Sequence, residues 1–308
     1  MARSVKDSVA VIGGGLIGIS WSALFVAYGW NVLLFEPMED ARGSIPSRVD
    51  ELRKQVTALS PELVDSGSLT CTQTLAEALE GCVWIQENAP EKVPLKRKLY
   101  ADIEATAPRD VTIASSTSSL VWSDLSAEMA NSSRLITAHP FNPPHLMPLV
   151  ELFGIDSERL DAAADFYRSV GRHPVRMKRE AVGHIANRLS SALWREAVNM
   201  VSEGIADVSD IDEALVYGPG LRWSVIGAHM AYHLGGGPGG ITHYLAHLGP
   251  SQEKRWQDLG SPSLDTATRQ KLVNGIELEA RGRSIADLEV QRDEALISVQ
   301  RALQGKRL

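Results

Sequence analysis

Cysteine is scarce in this chain of 308 residues, which holds only Cys71 and Cys82. Two cysteines cannot build a disulfide framework, and their spacing matches no metal site. The reducing cytosol is therefore the expected compartment. Basic charge is not in excess either: 31 Lys and Arg stand against 38 Asp and Glu, a net charge of -7. Such a balance lacks the footprint that attracts a polyanion, so nucleic acid is not an expected partner. Long apolar runs are also missing. The nearest approach, Ser8 to Trp30, is broken by Gly13, Gly14, Gly15 and Gly18 and preceded by Asp7. It reads as strand, turn and helix, not as the apolar part of a signal peptide, despite Arg3 and Lys6 upstream. No other segment approaches the length of a membrane span. There is no internal repeat, and GGGPGG at 235–240 is too short to be a domain linker.

What remains is an ordinary globular profile, 44% apolar and 22% charged, long enough for about two domains. Up to about residue 180, β-rich runs alternate with helical stretches, the pattern of a mostly parallel sheet covered by helices. VAVIG (9–13), NVLLFE (31–36), CVWIQ (82–86), VTIAS (111–115), RLITAH (134–139), LVELF (149–153) and HPVRM (173–177) read as strands. Met38 to Ser66 carries charges at helical spacing, so a helical insertion projecting from the sheet is expected there. Beyond Ala181 only helical periodicity persists. Val182, Ile185, Ala186, Leu189, Ala192, Leu193, Ala197 and Met200 recur three or four apart, predicting a long helix with one buried stripe. Asn187, Ser191, Trp194 and Val198 define a second face, free for a cleft or a partner. The expected fold is α/β, a Rossmann-type domain over 1–181 followed by an all-α domain over 182–308.

Gly13, Gly15 and Gly18 form G-x-G-x-x-G directly after the first strand, with Leu16 and Ile17 opening the helix behind it. The first glycine permits the tight turn, the second admits a pyrophosphate to the backbone, and the third lets helix and strand pack closely. Unpaired amides and the helix dipole then favour the phosphates. Glu36, ending the second strand, can accept from both hydroxyls of an adenosine ribose. With no arginine immediately after it, NAD is expected over NADP. Gly14 has no evident role.

The segment AHPFNPPHLMPLVEL (138–152) carries a histidine out of one strand, reverses through a proline-rich loop, and places a glutamate inside the next apolar run. Pro140, Pro143, Pro144 and Pro148 restrict the backbone, so the loop should hold His139 and Glu151 side by side. A carboxylate on one imidazole nitrogen fixes the tautomer and leaves the other nitrogen to take a proton from an alcohol. A buried Glu151 would also need such a partner. His145, in the same loop, is an alternative. His229, His233, His243 and His247 include two pairs at helical metal spacing but lack a companion glutamate, and no metal is expected.

Taken together, GGGLIG (13–18), ENAPEKVPLK (87–96), SSTSSL (115–120), HPFNP (139–143), LVEL (149–152) and GHIANRL (183–189) resemble the 3-hydroxyacyl-CoA dehydrogenase family over nearly the whole chain. The resemblance implies that His139 and Glu151 are the catalytic pair and that Ser118 and Asn187 bind the substrate oxygen. Asn142 would order the site, and Glu91 and Lys96 would approach the nicotinamide half of NAD. It also implies an active site between two domains and a homodimer formed through the helical one. Residue types alone leave other uses open, a turn cap for Ser118, a structural ion pair for Arg188 and a solvated helix position for Lys96.

Members acting on CoA thioesters carry a lysine-rich insertion after the second strand. Here residues 39–66 hold Glu39, Asp40, Asp50, Glu51, Glu62 and Asp65 against Arg42, Arg48, Arg53 and Lys54, a net acidic balance. ALWREA (192–197), IDEAL (211–215), YGPGLRWS (217–224) and HLGGGPGGITHYLAHLGP (233–250) resemble the branch acting on free 3-hydroxy acids such as L-carnitine, with L-gulonate oxidation and the lambda-crystallins more distant. A quaternary ammonium would suit aromatic walls, with Phe141, Trp223, Tyr232 and Tyr244 as candidates and Arg222 as a carboxylate partner. The alternatives are a short-chain 3-hydroxyacyl-CoA dehydrogenase or a crystallin-like protein that binds the cofactor without turnover.

Overall fold

The computed structural model describes residues 7–63 and 67–306; Arg3, Lys6, Asp65 and Ser66 lie outside them. The chain divides into two compact units, Met1–Arg188 and Leu189–Leu308. The first opens with β1 (Ser8–Ile12), α1 (Leu16–Ala27) and β2 (Asn31–Phe35), followed by α2 (Glu39–Arg42), α3 (Ile45–Leu59) and β3 (Ser68–Thr72). Then come α4 (Leu75–Leu79), β4 (Cys82–Glu87), α5 (Val93–Thr106), β5 (Ile113–Ser115), α6 (Trp122–Ser126), β6 (Leu135–Pro140), β7 (Leu149–Phe153), α7 (Ser157–Ser169) and β8 (His173–Arg176).

The eight strands form one sheet in the order β3-β2-β1-β4-β5-β6-β7-β8. Every neighbouring pair is parallel except β6 and β7, which run antiparallel and set His139 directly opposite Glu151. The order reverses between β1 and β4, which is where open α/β sheets bind their ligands. The seven strands read from the sequence are present. An eighth, β3, was not expected: SLTCT is short, lies at the edge and is half-exposed, so its alternation is faint.

The segment after β2 is helical as expected, yet it does not project. Ile45, Val49 and Val56 of α3 are buried in the same cluster as Ile19 and Leu24 of α1, so its apolar face covers α1. Charges at helical spacing reported its outer face, and three buried positions decided its placement.

The second unit holds the body of α8 (Ala186–Glu203), then α9 (Val208–Leu215), a π-helical segment Val216–Gly220, α10 (Leu221–Trp223), α11 (Ala228–Gly235), α12 (Gly240–Asp258), α13 (Thr266–Ala280) and α14 (Ile285–Leu303). Its core cluster is small: Val201, Val208 and Ile211, with Ala197, Met200 and Leu272 packed against them. The expected stripe is only partly covered: Val182 and Ile185, 65% and 41% exposed, lie before α8 begins, and Leu189 on α8 is 68% exposed. Val198, assigned to the open face, is buried instead. Periodicity identifies an apolar face but not whether the same chain covers it.

The compact sheet unit runs on to Arg188, beyond the Ala181 at which strand signals end in the sequence. Residues 184–187 are tied to the sheet unit by backbone and side-chain hydrogen bonds to Thr117, Ser118 and Glu151. No helix among the described residues is long and apolar enough to cross a membrane.

Trp21 anchors the face of α1 toward the sheet. It is fully buried, its ring stacks on Phe25 at 5.4 Å, and its indole N–H donates to Ser116 Oγ at 3.2 Å. Trp21→Ala should lower the stability of the sheet unit by roughly 3–5 kcal/mol. Urea unfolding followed by circular dichroism measures this, and a loss under about 1 kcal/mol would show that the site collapses without cost.

Candidate active site

The glycine turn is built by close approach. Gly13 has φ +97°, a value that disfavours any side chain, and its N–H donates to Phe35 O at 2.8 Å. A Cβ on Gly18 would lie 1.9 Å from Gly13 O, so helix and turn meet only because residue 18 is glycine. A Cβ on Gly15, by contrast, would meet nothing within 4 Å, which leaves the start of α1 open to a ligand. Gly14 does have a role: its N–H donates to Glu36 Oε2 at 2.8 Å, while Met38 N–H donates to Oε1 at 3.0 Å. These two bonds fix the carboxylate at the end of β2. Arg42, six residues on, folds back to donate to Glu36 O at 2.8 Å, so an arginine does stand beside this site although none follows in sequence.

Two cavities open on the sheet unit. One of about 530 Å³ is lined by Gly13, Gly15, Glu36, Met38, Pro90 and Leu99 among others. The second, of about 580 Å³, is lined by Leu16, Ile17, Glu91, Lys96, Ser116, Ser118, His139, Pro140, Phe141, Asn142 and Asn187. Both are bordered by Asn88 and Ala89. The residues fit a dinucleotide: the open Gly15 lies on the first cavity beside an ordered carboxylate, and the second cavity follows across Asn88. Gly13, Gly15, Gly18 and Glu36 would hold the adenosine and phosphate end, with Leu16 and Ile17 toward the nicotinamide end.

In the second cavity His139 Nδ1 lies 2.8 Å from Glu151 Oε2. Glu151 is fully buried, and its other oxygen accepts from Ile185 N–H at 2.7 Å and Ala186 N–H at 2.9 Å, at the start of α8. Burial opposes its charge, but the bond to His139 and the two amides outweigh it and hold the carboxyl below its usual range. Glu151 is thus an anion, so Nδ1 of His139 carries the proton and donates. Nε2 is left with its lone pair.

The loop between them is clamped from three sides. Arg172, buried, donates to Pro144 O at 2.9 Å and Met147 O at 3.1 Å. Burial lowers its guanidinium to about 10, still charged at neutral pH. His145 N–H donates to Ser20 Oγ at 2.9 Å, and its ring contacts Ser20 Oγ at 2.8 Å and Gln55 Oε1 at 2.7 Å. With the serine hydroxyl donating to Nδ1 and Nε2–H donating to Gln55, all three groups are satisfied by a neutral ring. His145 therefore joins α1 and α3 to the loop and does not line the cavity.

Glu91 and Lys96 border the cavity, but both are already engaged. Glu91 Oε1 accepts from Thr117 Oγ1 at 2.7 Å, Ser118 N at 2.7 Å and Ser119 N at 3.0 Å, organising the hydroxyl-rich loop. Burial raises its pKa, yet the Thr117 hydroxyl, Lys96 and these amides hold it below the usual value. Lys96 is not a solvated helix lysine; it is 1% exposed and donates to Glu87 Oε1 at 2.7 Å. Glu87, fully buried, also accepts from Tyr100 and Ser115 hydroxyls, each at 2.7 Å. Asn187 Nδ2 donates to Ser118 O at 3.1 Å, which brings the two expected oxygen-binding residues together. Arg188 forms no ion pair among the described residues and reaches Val182 O at 3.5 Å.

Arg222 and Trp223 belong to the helical unit, where Arg222 borders a separate cavity with Leu221 and Val299. Tyr232 and Tyr244 pack on each other there at 5.0 Å, while Phe141 lines the sheet-unit cavity with His139. Among the described residues no group of three potential ligands could hold a metal ion. Sequence reading missed Gly14, Glu87 and His184. Each lies inside a quoted motif, Gly14 in GGGLIG, Glu87 at the head of ENAPEKVPLK and His184 in GHIANRL, but the motifs alone did not give their partners.

Comparison with known proteins gives the family. Residues 8–181 match the family model of the 3-hydroxyacyl-CoA dehydrogenase NAD binding domain, and residues 183–267 match that of its C-terminal domain. The chain is 43% identical to L-carnitine dehydrogenase of Nocardiopsis dassonvillei, covering 98% of this chain and 94% of that one. It is 44% identical to the same enzyme of Streptomyces griseus subsp. griseus, covering 96% and 89%. The fold is shared with a crystal structure of the NAD+ dependent 5-formyl-3-hydroxy-2-methylpyridine 4-carboxylic acid 5-dehydrogenase, with TM-score 0.80, 24% identity, and coverage of 98% and 100%. A glycine turn ending in an ordered carboxylate, a histidine backed by a buried glutamate and two matched domain models lead to one assignment: the chain belongs to the 3-hydroxyacyl-CoA dehydrogenase family.

Proposed function

We propose that this protein oxidises the 3-hydroxyl of L-carnitine to 3-dehydrocarnitine. The observation that carries the reading is the near full-length identity of 43% and 44% to L-carnitine dehydrogenases. NAD, when bound, supplies the acceptor for the hydride leaving the carbinol carbon. The chain's own part is proton and charge management. His139 Nε2 takes the hydroxyl proton as the C–O bond becomes a carbonyl, and Glu151 stabilises the imidazolium that results. Ser118 and Asn187 fix the oxygen, while Phe141 and Asn142 bound the space around it. Phe141 offers a ring face to the trimethylammonium group.

The helices after β2 favour a free acid over a CoA thioester. Arg53 and Lys54 both pair with Asp50, at 2.7 and 3.3 Å, and Arg42 is held by the carbonyls of Glu36 and Pro37. These cations are neutralised or tethered locally, which makes a weak clamp for the phosphates of CoA. We further read the chain as a cytosolic homodimer joined through its helical half, a reading supported by the exposed Leu189, Trp194, Tyr217 and Leu278. A monomer mass by analytical ultracentrifugation at micromolar concentration would refute it.

NADH formation should be readily detected with L-carnitine and weak or absent with 3-hydroxybutyryl-CoA and L-gulonate; the reverse ranking would transfer the substrate assignment to whichever compound prevails. His139→Ala should lower kcat by roughly a hundredfold or more with NADH affinity nearly unchanged. Activity retained in that variant would remove the base. Glu36→Ser should shift the NAD-over-NADP preference by about tenfold or more toward NADP, since the carboxylate no longer repels a 2′-phosphate. Unchanged kcat/KM ratios would mean that the ribose is read elsewhere.

A further inference from the structure

His184 takes no part in the proton transfer described above, yet the structure holds it in an unusual state. It is 2% exposed and has φ +51°, a backbone region that residues other than glycine seldom occupy. Such conformations persist where the surroundings enforce them, and they gather at functional sites. The His184 ring centroid lies 5.0 Å from that of His139. Its Nε2 lies 3.0 Å from Thr117 O. A carbonyl only accepts, so Nε2 carries the proton and Nδ1 does not. That Nδ1 is buried and has no hydrogen-bond partner among the described residues.

Packing alone does not account for an imidazole here. A leucine or phenylalanine would fill the volume without leaving a buried nitrogen unsatisfied, which costs stability. What the imidazole adds is one N–H bond, and its position gives that bond its meaning. Thr117 precedes Ser118, and the next two amides after His184 are those that hold Glu151. The loop that presents the oxygen-binding hydroxyl and the turn that fixes the catalytic carboxylate are thus joined through a single ring.

We propose that His184 is a positioning residue that, as a neutral Nε2–H imidazole, pins the Ser118 loop to the Glu151 turn and so sets the oxygen-binding groups at a fixed distance from His139. The proposal rests on the alcohol-oxidation reading of the site. Neutrality matters because His139 becomes positive during turnover, and a second imidazolium beside it would oppose that charge. The titratable groups around His184 are His139 from β6, Glu151 from β7 and Glu91 from the segment before α5. Burial, with His139 adding to it, outweighs the two carboxylates and the Thr117 carbonyl and keeps His184 below the usual histidine range.

The test compares His184→Leu and His184→Gln in the full chain; the glutamine amide can replace the donor without the ring. Expected for His184→Leu is a kcat loss of roughly tenfold to a hundredfold that saturating L-carnitine does not recover, with NADH Kd unchanged. His184→Gln should recover most of it. A leucine variant with wild-type kcat, or a folded glutamine variant no better than leucine, would overturn the proposal. Ring-15N NMR of the wild-type chain gives a readout independent of substrate and of the variants' folding. It should show His184 as the neutral Nε2–H tautomer at neutral pH and titrating below the ordinary histidine value of about 6.5, and titration at or above that value would overturn the role. If the wild-type enzyme turns over no hydroxy acid, the substrate reading fails, while the tautomer measurement still decides the state of His184.

Discussion

The structure depends on keeping a fully buried carboxylate charged. Glu151 has no access to water, and an isolated anion there would cost several kcal/mol. Three donors offset that penalty: the His139 ring and the amides of Ile185 and Ala186. Each comes from a different stretch of chain from Glu151 itself, so β6, β7 and the start of α8 must all be in place before the charge is tolerated. The same three bonds decide which nitrogen of His139 is bare. Stability and chemistry therefore impose one constraint and not two.

Around this centre, side chains that the family resemblance sets near the nicotinamide are also engaged in ordering the protein itself. Glu91 collects three donors from Thr117, Ser118 and Ser119, and Lys96 neutralises Glu87 beneath the cavity. Arg172 and His145 do for the loop after β6 what Gly14 and Met38 do for Glu36: they fix a polar element by bonds to its own backbone or carboxylate. The cavity walls are consequently preorganised, which is the condition under which a dipole stabilises developing charge most effectively.

Much of this was legible in the residues. G-x-G-x-x-G with Glu36 located the dinucleotide turn because glycine's lack of Cβ is a local, position-specific requirement. His139 and Glu151 were legible because an antiparallel return between two apolar runs leaves few registers. Less accessible were features set by contacts distant in sequence: the edge strand β3, the docking of α3 on α1, and the burial of Lys96 against Glu87. The α8 stripe shows the limit most clearly. It is helical as its periodicity predicts, but Leu189 is exposed and Val198 is buried, since coverage depends on neighbours that the helix's own sequence does not encode.

The amides that neutralise Glu151 also bear on how this architecture can be recombined. They belong to residues 185 and 186, inside the span matched by the C-terminal family model, although the compact sheet unit extends to Arg188. The boundary of sequence homology thus cuts through the wiring of the acid. A chimaera spliced at residue 182 would graft a foreign turn onto Glu151, whereas a crossover after Arg188 would carry the acid and its donors as one heritable block.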